Sequence, residues 1–181
     1  MVGTGPGEEN QPIREVCQDI GIDCPYVKRS ENDVLGRYVD ITKFYRADVV
    51  VRITGDCPLI DYELVDKVVN SLEYDDFSSN VIERTYPKGF DTEVLPFDTL
   101  YRLDRLCRGE DREHVTPFIY DHQDLFRLVS VEDTEDNSDI NLSVDYPEDF
   151  ATVTDVFRWM GDEYKNYEEI TEYIRWRETQ I

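Results

Sequence analysis

Apolar residues in this chain come in blocks, and their spacing changes from block to block. In "IREVCQDIGI" they fall at Ile13, Val16, Cys17 and Ile20, one face of a helix closed by Gly21. "CPYVKR" is short and bounded, and reads as a strand. "SENDVLGRYVDITKFYRA" opens with a Ser-x-x-Asp box at Ser30 and continues as an amphipathic helix. "DVVVRIT" hardly alternates, which predicts a strand covered on both faces. "DYELVDKVVNSLE" reads as a helix, and "DFSSNVI" and "TEVLPF" as strands around a polar loop. "DTLYRLDRLC" and "DREHVTPFIYDH" are helical, the second kinked or restarted at Pro117. "FRLVSVE" and "DINLSVDY" have strand spacing. "PEDFATVTDVFRWM" and "YEEITEYIRWRE" close the chain as helices. Alternating strand and helix predicts an α/β fold, a three-layer sheet in one domain over residues 1–181.

The opening "MVGTGPGEENQ" invites a phosphate-loop reading. The fingerprint needs a preceding strand and a set spacing into a helix, and this stretch has neither. It reads as a turn-rich lead into a helix near Pro12.

Charge narrows the functional classes. Acids outnumber bases 41 to 19, for a formal net charge of −22, and the acids are scattered rather than run together. Such a surface repels nucleic acid and anionic membranes. The reading is a surface suited to molar salt, where repulsion is screened within a few ångströms. An acidic mimic or interaction module is the rival. No apolar run reaches membrane-span length and no signal peptide is present, so the expected location is cytoplasmic. Cys17, Cys24, Cys57 and Cys107 form no C-x-x-C pair and have two His for company, which supports neither zinc nor a disulfide framework.

Candidate chemistry gathers where strands end. The apolar run "ADVVV" stops at "RITGDCPLID". Gly55 allows a ligand close to the backbone and Pro58 stiffens the turn. Arg52, Thr54 and Asp56 share one face at period two, a guanidinium, a hydroxyl and a carboxylate suited to a metal-bound phosphate. Alternatively, Asp56 caps the next turn with Arg52 as its ion-pair partner. Asp145 in "SVDYPEDF" also ends a strand before a helix, and there a cap is the plainer alternative. Two such carboxylates suffice for one Mg²⁺ that keeps its waters beside phosphate oxygens. In "RTYPKGFDTEV", Arg84 and Lys88 are scarce cations around Tyr86, able to meet an anion or to lie on a solvated hairpin loop. In "DREHVTPFIY", His114 is a candidate acid-base group or a surface His. His122 reads as surface.

Four segments carry a resemblance in order: "NDVLGRYVDITKFYRADVVVRITGDCPLID", "RTYPKGFDTEVLPFDTL", "REHVTPFIY" and "SVDYPEDF". Together they resemble the cytidylyltransferases of spore-coat polysaccharide biosynthesis, relatives of acylneuraminate cytidylyltransferases. The resemblance implies a mixed sheet of the nucleotide-diphospho-sugar-transferase type. It implies CMP transfer from CTP to a sugar acid with Mg²⁺, and often a homodimer. It places metal-binding and catalytic roles at Asp56 and Asp145, with Arg52 beside them. It places substrate contacts at Thr54, Arg84, Lys88, Asp91, Glu93, Arg112 and His114. Two departures stand out. The family's opening strand, Gly- and Arg-containing loop and first helix have no counterpart here, so an N-terminally truncated domain is expected. The alternative function is then a non-catalytic relic that binds a sugar nucleotide or a partner subunit. Tyr146 also stands where the family usually has Thr, which would draw Asp145 toward capping.

Overall fold

The computed structural model describes residues 1–180. The chain divides into two compact units, Met1–Val50 with Leu95–Arg127, and Val51–Val94 with Leu128–Ile181. In chain order the elements are α1 (Gln11–Asp19), α2 (Val34–Tyr45), β1 (Val49–Arg52), α3 (Tyr62–Ser71), β2 (Phe77–Ser79) and β3 (Glu93–Pro96). They continue with α4 (Phe97–Leu106), α5 (Glu110–His114), α6 (Pro117–Asp121), β4 (Leu128–Ser130), α7 (Pro147–Met160) and α8 (Tyr167–Glu178). The sheet has the order β1-β3-β2-β4 and is mixed, as expected. β2 runs antiparallel to β3, Ser78 opposite Val94, and parallel to β4, Phe77 opposite Leu128. No helix among the described residues is long and apolar enough to cross a membrane.

In the first unit α2 packs on α4 and α5. Leu35 and Val39 of α2, Leu100 and Leu103 of α4, and Val115 and Ile119 beyond are buried. The restart at Pro117 is real. Val115 takes φ +76°, which ends α5, and Pro117 then opens α6 where its missing N–H costs nothing. Helix α2 begins four residues after Ser30. Its cap is Asp33, whose carboxylate accepts the Gly36 N–H at 3.2 Å. The Arg37 guanidinium donates to the carbonyls of Ser30 (3.0 Å) and Glu31 (2.8 Å), which holds those residues outside the helix.

Three further expectations change. "CPYVKR" forms no strand: Pro25 has no N–H to give, and the Arg29 N–H turns back to the Val27 carbonyl at 3.0 Å. β1 is not covered on both faces. It lies at the sheet edge, with Val50 buried and Val49 and Val51 exposed. In α1 only Cys17 is buried, while Ile13, Val16 and Ile20 face outward.

The second unit holds a continuous core of Leu59, Leu64, Val68, Tyr86, Phe90, Val94 and residues from α7 and α8. "DINLSVDY" makes one parallel bridge, Lys88 to Asn141, rather than a strand. Asn141 Oδ1 accepts the Ser143 N–H at 3.1 Å, so a side chain takes the place of a ladder partner.

Candidate active site

Every sequence-predicted site residue except Arg112 and His114 lies in the second unit. The loop from β2 to β3 that carries Arg84, Lys88 and Asp91 is not a solvated hairpin. Tyr86 and Phe90 within it are fully buried. Asn80, also buried, closes its base: Nδ2 donates to the Phe90 carbonyl and Oδ1 accepts the Thr92 N–H, each at 2.9 Å. The Lys67 ammonium donates to the Tyr86 hydroxyl at 2.7 Å. These anchors fix the backbone from which the charged side chains project.

Backbone bonds then bring three segments together. The Lys88 N–H donates to the Ile140 carbonyl at 3.0 Å, and Leu142 N–H returns to the Lys88 carbonyl at 2.7 Å. Gly89 permits this approach. At φ +108° a Cβ there would lie 2.5 Å from the Leu142 carbonyl carbon and 2.8 Å from the Ser143 nitrogen. The Val144 N–H donates to the Asp56 carbonyl at 2.8 Å, which sets the end of "RITGD" beside the end of "LSVD".

The side chains pair within this cluster. Lys88 Nζ donates to Asp145 Oδ2 at 2.8 Å, and Ser143 Oγ lies 3.1 Å from the same oxygen. The Arg84 guanidinium grips Asp91 with two parallel bonds of 2.8 and 2.7 Å. Arg52 pairs with Glu93. Thr54 Oγ1 lies 3.3 Å from Cys57 Sγ, and the thiol leans toward Asp56 Oδ1 at 3.7 Å. Burial pushes the Cys57 pKa up to about 11, so it is a neutral thiol at physiological pH and no nucleophile.

The electrostatics follow the pairing. The hydrogen bond from Lys88, and then that from Ser143, hold the Asp145 carboxyl below the usual range. The Lys88 ammonium is raised, first by its bond to Asp145 against desolvation, then by the charges of Asp145, Asp56 and Asp91. Asp145 is therefore not the helix cap. Asp149 caps α7: its Oδ2 accepts the N–H groups of Tyr146 (2.9 Å) and Asp145 (3.1 Å). Tyr146, the residue expected to cap badly, makes no side-chain cap bond. Sequence reasoning passed over Asn80, Ser143 and Asn141. Ser143 sits two residues before Asp145, a period-two signal that could have found it.

In the first unit, Arg112 is engaged by carboxylates. It donates to Asp33 Oδ1 at 2.8 Å and to Asp104 Oδ1 at 2.9 Å. Asp33 is the α2 cap, so this cation braces a helix start. His114 is exposed at the end of α5.

No group of three or more His, Cys, Asp or Glu among the described residues could hold a metal ion by itself. Asp56 and Asp145 offer two hard oxygen donors. Asp145 keeps Oδ1, and Asp56 keeps Oδ2, clear of protein hydrogen bonds among the described residues. That set fits Mg²⁺ or Mn²⁺ completing its shell with water and phosphate, and does not fit a metal held by protein alone.

Residues 9–178 match the cytidylyltransferase family. The chain belongs to the cytidylyltransferase family. It is 37% identical over 153 residues to the uncharacterized protein MJ1063 of Methanocaldococcus jannaschii, covering 83% of this chain and 62% of that protein. It is 30% identical over 137 residues to the spore coat polysaccharide biosynthesis protein SpsF of Bacillus subtilis, covering 74% of this chain and 57% of SpsF. The chain thus spans about three fifths of the length of these curated relatives. A cytidylyltransferase from Leptospira borgpetersenii superposes with a TM-score of 0.92 at 29% identity, over 98% of this chain and 76% of that one. A CMP:2-keto-3-deoxy-manno-octonic acid synthetase complexed with CTP superposes with a TM-score of 0.60 at 13% identity, over 87% of this chain and 80% of that one, and shares the fold.

Proposed function

We propose that this cytidylyltransferase transfers CMP from CTP to a sugar acid for surface polysaccharide or glycoconjugate synthesis. The observation that carries the reading is the Val144–Asp56 backbone bond. It sets the segment that carries Asp56 beside the one that carries Asp145, with Lys88 on the Asp145 carboxylate. A sugar hydroxyl oxygen attacks the α-phosphorus of CTP. The bond to the β-phosphate breaks, pyrophosphate leaves, and the hydroxyl proton passes to water. Asp56 and Asp145 would hold Mg²⁺, which on binding neutralises phosphate charge. Thr54 supplies a hydroxyl beside Asp56, and Lys88 presents a cation to the acid sugar. Asp91 and Glu93 hold Arg84 and Arg52 in fixed geometry. Arg112 supports α2 through Asp33. The three-layer sheet, the cytoplasmic location, the homodimer and an acid-base role for His114 belong to the same reading.

A binding role without turnover has one observation in its favour: Arg84 and Arg52 are each paired with a carboxylate of the cluster. Pyrophosphate release from CTP with a panel of sugar acids separates the two. Turnover that Asp56→Asn and Asp145→Asn both abolish, while each variant keeps its urea midpoint, supports transfer. CTP binding without release across the panel supports the binding role. Turnover that survives both substitutions overturns the site assignment.

A further inference from the structure

The Lys88–Asp145 pair has a consequence for metal loading, and it rests on Asp145 being a metal ligand. Lys88 is locked by its backbone on both sides, through the Ile140 carbonyl and the Leu142 N–H. Its side chain is otherwise loose, 46% exposed, with the ammonium on Asp145 Oδ2. The ammonium can therefore leave the carboxylate with no backbone movement. Gly89 keeps the two segments in register while it does so.

We propose that Lys88 is a resident counter-cation that competes with the divalent metal for Asp145. A divalent ion on Asp145 would sit within a few ångströms of the ammonium. Either the ammonium swings away and loses its partner, or both cations share one carboxylate and repel. Each outcome weakens the metal. At the dielectric of a solvated surface, a unit charge about 6 Å from a divalent ion lowers its affinity roughly tenfold. The same pairing keeps Asp145 hydrogen-bonded and oriented when no metal is bound. Lys88 thus acts as a positioning residue for the metal ligand and sets the metal concentration at which the site fills.

The test is a Mn²⁺ titration of the free protein by electron paramagnetic resonance, with no nucleotide or sugar present. Lys88→Met removes the charge but keeps the length of the chain, and is expected to bind Mn²⁺ about tenfold more tightly than wild type. Lys88→Arg keeps the charge and is expected to stay within about twofold of wild type. Were Lys88 only a strut for the 141–145 segment, Lys88→Met would bind Mn²⁺ no better or worse, and that result overturns the proposal. Asp145→Asn distinguishes the two levels of the reading. If it abolishes Mn²⁺ binding while Lys88→Met has no effect, the competition falls and the metal ligand stands. If it leaves Mn²⁺ binding intact, the metal assignment itself falls.

Discussion

Asp61 ends the "GDCPLID" segment, is 1% exposed, and has both carboxylate oxygens occupied. Oδ1 accepts the N–H groups of Glu63 (2.7 Å) and Leu64 (3.1 Å), capping α3, and also the Tyr164 hydroxyl at 2.8 Å. Oδ2 accepts the Tyr167 N–H at 2.8 Å, at the first turn of α8. One side chain thus joins the starts of two helices. Four bonds to a charged acceptor, at about 1.5–3 kcal/mol each, would sum to more than single substitutions cost. The sum overshoots because Asp61→Ala also removes the desolvation cost of the buried carboxylate, several kcal/mol. What remains is the lost cap and the Tyr167 N–H left without its acceptor, while the exposed Tyr164 can turn its hydroxyl to water, for a net loss of about 2–4 kcal/mol. At about 2–4 °C per kcal/mol for a chain of this size, the melting midpoint falls by about 10 °C. Asp61→Asn keeps an acceptor for α3 but turns its amide donors toward Tyr167, and is expected to cost about half as much. Trp159 and Trp176, the chain's two tryptophans, lie in the same unit, so urea unfolding followed by their fluorescence reports on the unit that holds Asp61. Tyr164→Phe in the Asp61→Ala background should cost less than it does alone, because its hydroxyl has already lost its partner. A loss below about 1 kcal/mol for Asp61→Ala would refute the accounting, since a cap alone is worth that much.

Gly89→Ala drives a methyl into the Leu142 carbonyl and Ser143 nitrogen at a positive φ. It should cost roughly 2 kcal/mol or more by urea unfolding, and a stability equal to wild type would mean that the two segments part freely. Asp40, paired with Arg29, and Asp145, paired with Lys88, both have pKa values lowered from 3.8. Their contribution is complete above that unfolded value and is lost as pH falls through the folded ones. Stability should therefore drop below about pH 4, and Asp40→Asn should flatten the drop; an equally steep acid limb in the variant would count against the pair. With a net charge of −22, the chain should gain stability from low salt to molar KCl. Circular dichroism melts across a KCl series check this, and no gain would end the molar-salt reading.

The elements that the sequence made legible are those with long periodic spacing. α2, α3, α4, α7 and α8 all lie where the apolar pattern puts them, and the pause at Pro117 separates α5 from α6. What misled was short apolar segments whose backbone is diverted by side chains or by proline. "CPYVKR" turns back on itself after Pro25, and within "DINLSVDY" the Ser143 N–H goes to the Asn141 side chain. Local pattern cannot register such competition, because the rival partner is a polar atom that a hydropathy reading counts as surface. The helix start at Asp33 rather than Ser30 has the same origin, since Arg37 holds the carbonyls that a longer helix would need. The candidate residues fared differently. Period-two spacing put Arg52, Thr54 and Asp56 on one strand face, but β1 ends at Arg52, and Thr54 and Asp56 lie in the turn beyond it; spacing along a strand also says nothing about partners across it. That Arg52 would meet Glu93 is set by segments 41 residues apart, and that Arg84 would meet Asp91 is set by the fold of the loop that carries both.

These partnerships alter the electrostatic demand on the site. Arg52, Arg84 and Lys88 are matched by Glu93, Asp91 and Asp145, and Asp56 leaves the group one charge negative. The chain as a whole is more negative still. A triphosphate or an acid sugar approaching this cluster finds no net attraction from protein charge alone, although such attraction is what raises encounter rates in other clefts. Arg52 and Arg84 are each held by a carboxylate, so what they offer is a fixed direction rather than a diffuse positive field. A divalent ion on Asp56 and Asp145 would reverse the sign of the cluster in one step. In the proposed reaction, then, the carboxylates hold the charge that meets the nucleotide, and the neighbouring ion pairs keep those carboxylates oriented. Lys88 stands at the junction of the two tasks. It is the cluster cation with the most exposed side chain, and it sits on one of the two carboxylates that would carry the metal.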